Sequence, residues 1–189
     1  MSAVQQVFAA LGGTAPGQQA YTTPGTYSWV CPAGVTSVSV VCIGAGGERI
    51  GSGGYGGGGG GLAYGNNISV TPGASYTVVV GAHGGNGSYF STAGTLAGGG
   101  GKNCNFSGTG GTSTGSARTG GGTGGAGGPT STYYGGGGGA AGYSGTGGAG
   151  ANGDARFVHA PSSNGRVRID RLGDRYYAQR YEAARTFFD

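Results

Sequence analysis

The side chains best suited to acid–base, metal or nucleophilic chemistry are scarce in this chain of 189 residues: two His, three Cys and six carboxylates. His83 and His159 stand alone, with no second His, Cys or carboxylate at metal-ligand spacing. Five of the six carboxylates fall within residues 154–189, so a carboxylate pair flanking a scissile bond is not expected. Cys31, Cys42 and Cys104 are odd in number and lack CxxC spacing. Buried reduced thiols are expected of them. Serines are plentiful, yet none has an evident His and Asp partner. GxGxxG matches follow from composition alone, and none opens a helix in a βαβ unit. No enzyme, no metal and no cofactor are expected.

The elements that would position any site are unusual. Glycine supplies 52 of the 189 residues, against an average near 7%. Val, Leu, Ile and Phe together number only 27, too few for a conventional oil-drop core. Disorder normally joins such poverty to high net charge, but only 8% of residues are charged and the balance is +4. Seven of the ten basic residues are arginines between Arg156 and Arg185, interleaved with acids, which is no footprint for nucleic acid. No run of 18 apolar residues is present, and no membrane insertion is expected. Met1 to Leu11 has neither a basic n-region nor an apolar h-region, so no secretory signal is expected.

Three segments follow from the patterning: an N-terminal attachment segment (1–20), a glycine-rich β domain (21–170) and a C-terminal docking segment (171–189). Val4, Val7, Phe8 and Leu11 recur at helical spacing, and so do Tyr176, Tyr177, Tyr181, Ala184 and Phe188. Short helices at both ends are expected, with Val4, Val7, Phe8, Leu11, Tyr177, Tyr181, Phe187 and Phe188 as docking candidates. Alternation over 26–31 and 35–43 about Pro32-Ala33-Gly34 predicts a β-hairpin. A second strand pair is predicted over 67–71 and 75–80 about Pro72-Gly73-Ala74. A closing strand is predicted over 165–170.

Residues 44–153 hold 45 of the 52 glycines, in tracts separated by short polar or aromatic segments. A flexible linker is one reading of each tract. A stack is the other. Polyproline-II helices of glycine expose every N–H and C=O, and packed side by side they satisfy one another. Only glycine lets the backbones come close enough. Each bond contributes about 0.5–1.5 kcal/mol against roughly 1–2 kcal/mol of lost entropy per residue. A β scaffold clamping the tract ends lowers that cost.

The stretch Tyr21-Thr22-Thr23-Pro24-Gly25-Thr26-Tyr27-Ser28-Trp29, continued by Cys31-Pro32-Ala33-Gly34-Val35, resembles the opening strands of glycine-rich bacteriophage tail and virion proteins. Ile68-Ser69-Val70-Thr71-Pro72-Gly73-Ala74-Ser75-Tyr76 and the closing Gly165-Arg166-Val167-Arg168-Ile169 are similar too. The resemblance implies a mainly β fold, a β-sandwich with an inserted polyglycine-II helix bundle. It also implies a place in the virion, often at a fibre tip. Tyr89, Phe90, Tyr133, Tyr134 and Tyr143 lie in Ser/Thr/aromatic segments with a paratope-like palette and are the receptor-contact candidates. They equally suit a second role, shielding the stack from water. Glu48-Arg49-Ile50 is a further candidate loop tip.

The expected function is a non-enzymatic virion structural protein, a tail fibre or its tip contacting a host polysaccharide or outer-membrane protein. A decoration or assembly component without receptor binding is the alternative. Other virion proteins are the expected partners, and a homo-oligomer, by analogy a trimer, is the expected state.

Overall fold

A computed structural model describes residues 17–48, 56–103, 108–128, 138–149 and 165–171. Ten strands occur among them: β1 (Gly17–Tyr21), β2 (Gly25–Val30), β3 (Ser37–Ile43), β4 (Leu62–Ser69), β5 (Ser75–Val80), β6 (Ser88–Phe90), β7 (Leu96–Gly98), β8 (Ser113–Thr114), β9 (Gly120–Gly122) and β10 (Arg166–Arg171). They form two five-stranded antiparallel sheets. Sheet A runs β1-β10-β3-β4-β9 and sheet B runs β2-β5-β6-β7-β8. The expected β-sandwich is present. The two terminal helices and all eight terminal docking candidates fall outside the described residues.

β2, β3, β5 and β10 form where the sequence alternates, and β4 starts five residues before the predicted 67–71, but the strands do not pair as the sequence suggests. β2 and β3 are not a hairpin: β2 pairs with β5, and β3 pairs with β10 and β4. β4 and β5 likewise sit in different sheets. Both turns are therefore arches that carry the chain from one layer to the other. Gly34 and Gly73, each at φ 78°, supply the left-handed residue that the reversals need. The arches brace each other: Cys31 N–H donates to the Ala74 carbonyl and Gly73 N–H to the Cys31 carbonyl, both at 2.8 Å.

The inward faces meet in one core. Trp29 packs on Tyr76 and Phe90, with ring centroids 5.8 and 6.0 Å away, and Tyr76 stacks on Phe90 at 5.5 Å. Val38, Val40, Cys42, Val78, Val80, Leu96, Val167 and Ile169 complete it. Such side chains contribute about 1.5–3 kcal/mol each on burial. β3 is buried on both faces from Val38 to Cys42, where its alternation predicts only one. Its outer face, Val41 with Leu62, is covered by Ala141, and Ile43, Tyr64 and Tyr143 pack round them. Between Val38 and Val40 the β3–β4 register slips at a bulge, where Asn67 takes φ 54°.

β1 was not visible in the alternation. Gly17-Gln18-Gln19-Ala20 belongs to sheet A, paired along its length with β10, although its composition places it with the terminal segment.

Candidate binding surface

The glycine tracts leave the sandwich and return to it. Residues 56–61 form the central rod, and their bonds repeat every third residue. Gly56 and Gly59 donate to Gly128 and Gly125, while Gly58 and Gly61 donate to Lys102 and Gly99. The carbonyls of 56 and 59 accept from Gly108 and Gly111, and those of 57 and 60 from Gly138 and Ala141. The carbonyls of 58 and 61 accept from Gly47 and Gly44. All ten bonds span 2.8–3.2 Å. A threefold repeat with bonds only to neighbouring rods is the polyglycine-II arrangement, so these tracts are not linkers.

Side-chain absence is a packing requirement here. A Cβ built on Gly58, Gly59 or Gly60 would fall on the carbonyl oxygen of Thr109, Gly139 or Gly44. Gly145 and Gly148, by contrast, have nothing within 4 Å of such a carbon.

The registers give the molecule two ends. Gly44, Gly61, Gly99 and Thr112 bond to one another at the sandwich end. Glu48, Gly56, Lys102, Gly108, Gly128 and Gly138 gather at the other through the bonds Gly47–Gly58, Gly58–Lys102, Gly56–Gly128, Gly108–Gly56 and Gly138–Gly57. The described residues on either side of 49–55, of 104–107 and of 129–137 thus lie at that distal end. β1 begins opposite the last residue of β10, Gly17 against Arg171, at the far end of the sandwich. Arg166 pairs with Ile43 at the bundle junction, so β10 runs from the bundle to the opposite pole.

At the distal end Glu48 N–H donates to Asn103 Oδ1 at 2.6 Å, and its carboxylate pairs with His83 Nδ1. Both side chains are substantially exposed. Sequence reasoning reached Glu48 as a loop tip but left His83 and Asn103 apart from it. Their contact spans 35 and 55 residues of chain, which no local spacing reveals.

The aromatic candidates separate. Phe90 is fully buried in the core and is no contact residue, a correction that follows from strand geometry: neighbours on a strand face opposite ways. Tyr89 points out from sheet B. It lies in a row crossing all five strands, Thr26–Val79–Tyr89–Ala97–Thr114. Tyr143 is half-buried, its ring 5.6 Å from that of Tyr64 over sheet A, beside Val41, Leu62 and Ala141. Tyr133 and Tyr134 lie outside the described residues.

Ser88 marks the junction: buried on β6, its hydroxyl accepts from Gly81 N–H at 3.0 Å. Cys31 and Cys42 are buried thiols outside any disulfide, and the Cys31 thiol donates to the Val35 carbonyl. Burial drives the Cys42 thiol far above its usual range, a hydrogen bond with the Phe90 backbone offsetting only part of that. Among the described residues no three His, Cys, Asp or Glu side chains are grouped to hold a metal. No described helix is long and apolar enough to cross a membrane.

No curated protein matches the chain. A family model described as a glycine-rich domain matches residues 22–165, a span from the β1–β2 connection to the first residue before β10. With sandwich, arches and glycine rods all inside that span, the chain belongs to the glycine-rich domain family.

Proposed function

We propose that this chain is a non-enzymatic structural protein of a bacteriophage virion, placed at a tail fibre or its tip, where its distal segments contact the host surface. The observation that supports this reading is the polarity of the molecule. Gly17 and Arg171 lie at one pole, and the described residues that flank 49–55, 104–107 and 129–137 gather at the other, at the head of a rod bundle. A stiff rod bundle suits recognition, because a pre-organised support loses little further entropy when what it carries binds. Segment 129–137 contains Tyr133 and Tyr134, its flanking residues Gly128 and Gly138 lie at this head, and it is the first candidate for contact with a host polysaccharide or outer-membrane protein.

The test replaces 129–137 by a Gly/Ser segment of equal length in phage. Particles are expected to assemble normally and to lose at least about tenfold in adsorption, some 1.4 kcal/mol of binding. Unchanged adsorption would overturn the receptor role. The second reading, a decoration or assembly component, is favoured by the uncharged outermost strands β1 and β2. A virion map separates them: burial of the distal end among other subunits selects the second.

A further inference from the structure

The two flanks of the sandwich are finished differently. On one, the outermost strands are short: β8 has two residues and β9 three. β9 is also shielded, for a Cβ on Gly122 would meet the Gly145 carbonyl of the overlying tract. Shortness and cover are the usual protections of a sheet edge. On the other flank the outermost strands are β1 and β2, of five and six residues. Among the described residues, neither has a strand on its outer side. Their sequences, Gly-Gln-Gln-Ala-Tyr and Gly-Thr-Tyr-Ser-Trp-Val, contain no charge and no proline, and no bulge interrupts their pairing. Among the described residues, shortness, charge, proline, bulge and cover are all missing from the flank with the longer edges.

We propose that this flank is the docking surface for a second copy of the chain, edge to edge about a twofold axis normal to the sheets. β1 pairs antiparallel with its own counterpart, and the β2 edges meet behind it. The occupant follows from charge. A twofold contact sets residues near the axis against their own copies, so any charged residue there would face its like. These two strands have none. The nearest outward cations, Arg166 and Arg168, stand one strand back on β10. Their copies would then be three strand spacings away, about 14 Å, beyond the screening length of about 8 Å.

The same flank carries Val30, 58% exposed and the large apolar residue left most open to water among those described. It borders a cleft of about 90 Å³ lined by Gln18, Gln19, Trp29, Pro32 and Ile169. Pairing narrows the exposure of Val30 and gives the open main-chain groups of both edges hydrogen-bond partners across the junction. At the other end of the flank Tyr21 and Tyr27 already close the gap between layers, their rings 4.9 Å apart.

Light scattering on the full chain tests this, with the variant Gln18→Lys/Thr26→Lys, both positions being exposed and outside the core. The native chain is expected to form a concentration-dependent dimer below about 100 μM, and the variant to dissociate at least about tenfold more readily. Amide exchange in residues 17–21 and 25–30 should slow as concentration rises in the native chain alone. The variant, diluted to monomer, should melt where the native monomer does. A native monomer at every concentration, a threefold assembly, or a dimer indifferent to the lysines would each overturn the proposal. None of these outcomes bears on adsorption, so this flank and the distal head stand or fall separately.

Discussion

The sandwich and the glycine bundle share one chain and are held by opposite means. In the sandwich, Trp29, Phe90, Leu96 and Ile169 are buried, and the backbone follows where their side chains pack. In the bundle the buried atoms are the backbone itself, and the rods touch because nothing stands between them. The sandwich gains from apolar burial. The bundle gains from hydrogen bonds that contribute about 1 kcal/mol each and must be made together, since a buried unpaired amide costs more than a bond contributes. A hydrophobic core tolerates a changed shape by repacking. A stack of main chains has no rotamers with which to yield.

The largest effect should come from Phe90→Ala, which opens a void amid Trp29 and Tyr76. A loss of about 3–5 kcal/mol is expected in denaturant unfolding, and a loss under 1 would mean that the sandwich does not depend on side-chain packing. Next comes Gly59→Ala. One methyl on the Gly139 carbonyl should cost about 1–3 kcal/mol or more. Its control is Gly145→Ala, where the carbon meets nothing; this should be neutral or stabilising by about 0.4–1 kcal/mol. Equal effects at the two positions would dissolve the distinction between rod interior and rod surface.

A subtler contrast lies in calorimetry. Exposing amides lowers the heat capacity while exposing hydrocarbon raises it. The unfolding heat capacity per residue should therefore fall below the usual 12–15 cal/mol/K. The smallest effect concerns alkali. Burial raises the Cys42 thiol, and burial followed by Tyr27 raises the Tyr21 phenol. Both favour the protonated form in the fold. Stability is thus intact below the ordinary thiol and phenol ranges. It should decline as pH climbs from about 8.5 past 10, where only the unfolded chain readily loses these protons. A melting temperature that is flat through that window in wild type, or that falls equally in Cys42→Ser, would contradict this.

Sequence showed the strands and the stack but not the wiring. Alternation over 26–31, 35–43 and 75–80 located β2, β3 and β5 because one face of each must be buried. Glycine at 34 and 73 announced reversals, yet a reversal does not say which layer receives the next strand. That is settled by partners far along the chain, β5 for β2 and β10 for β3. β1 was silent because Gln18, Gln19 and Ala20 carry no apolar period. The tracts were legible as rods, but glycine has no side chain to encode register, so their order around 56–61 comes from the strands that clamp them. Phe90 could have been assigned from Ser88-Tyr89-Phe90 alone, since only one of two adjacent residues on a strand faces out. The meeting of Glu48, His83 and Asn103 had no such signal.

The position of β10 has a consequence for synthesis. Among the described residues it is the last strand in chain order, yet it sits second in sheet A, between β1 and β3. During translation β1 therefore has no strand to join, and β3 keeps an open side, until residues 166–171 leave the ribosome. Sheet A closes after translation has passed every tract, which exposes the long nascent chain to premature association and makes a stop codon before position 165 far more damaging than its small share of the mass suggests.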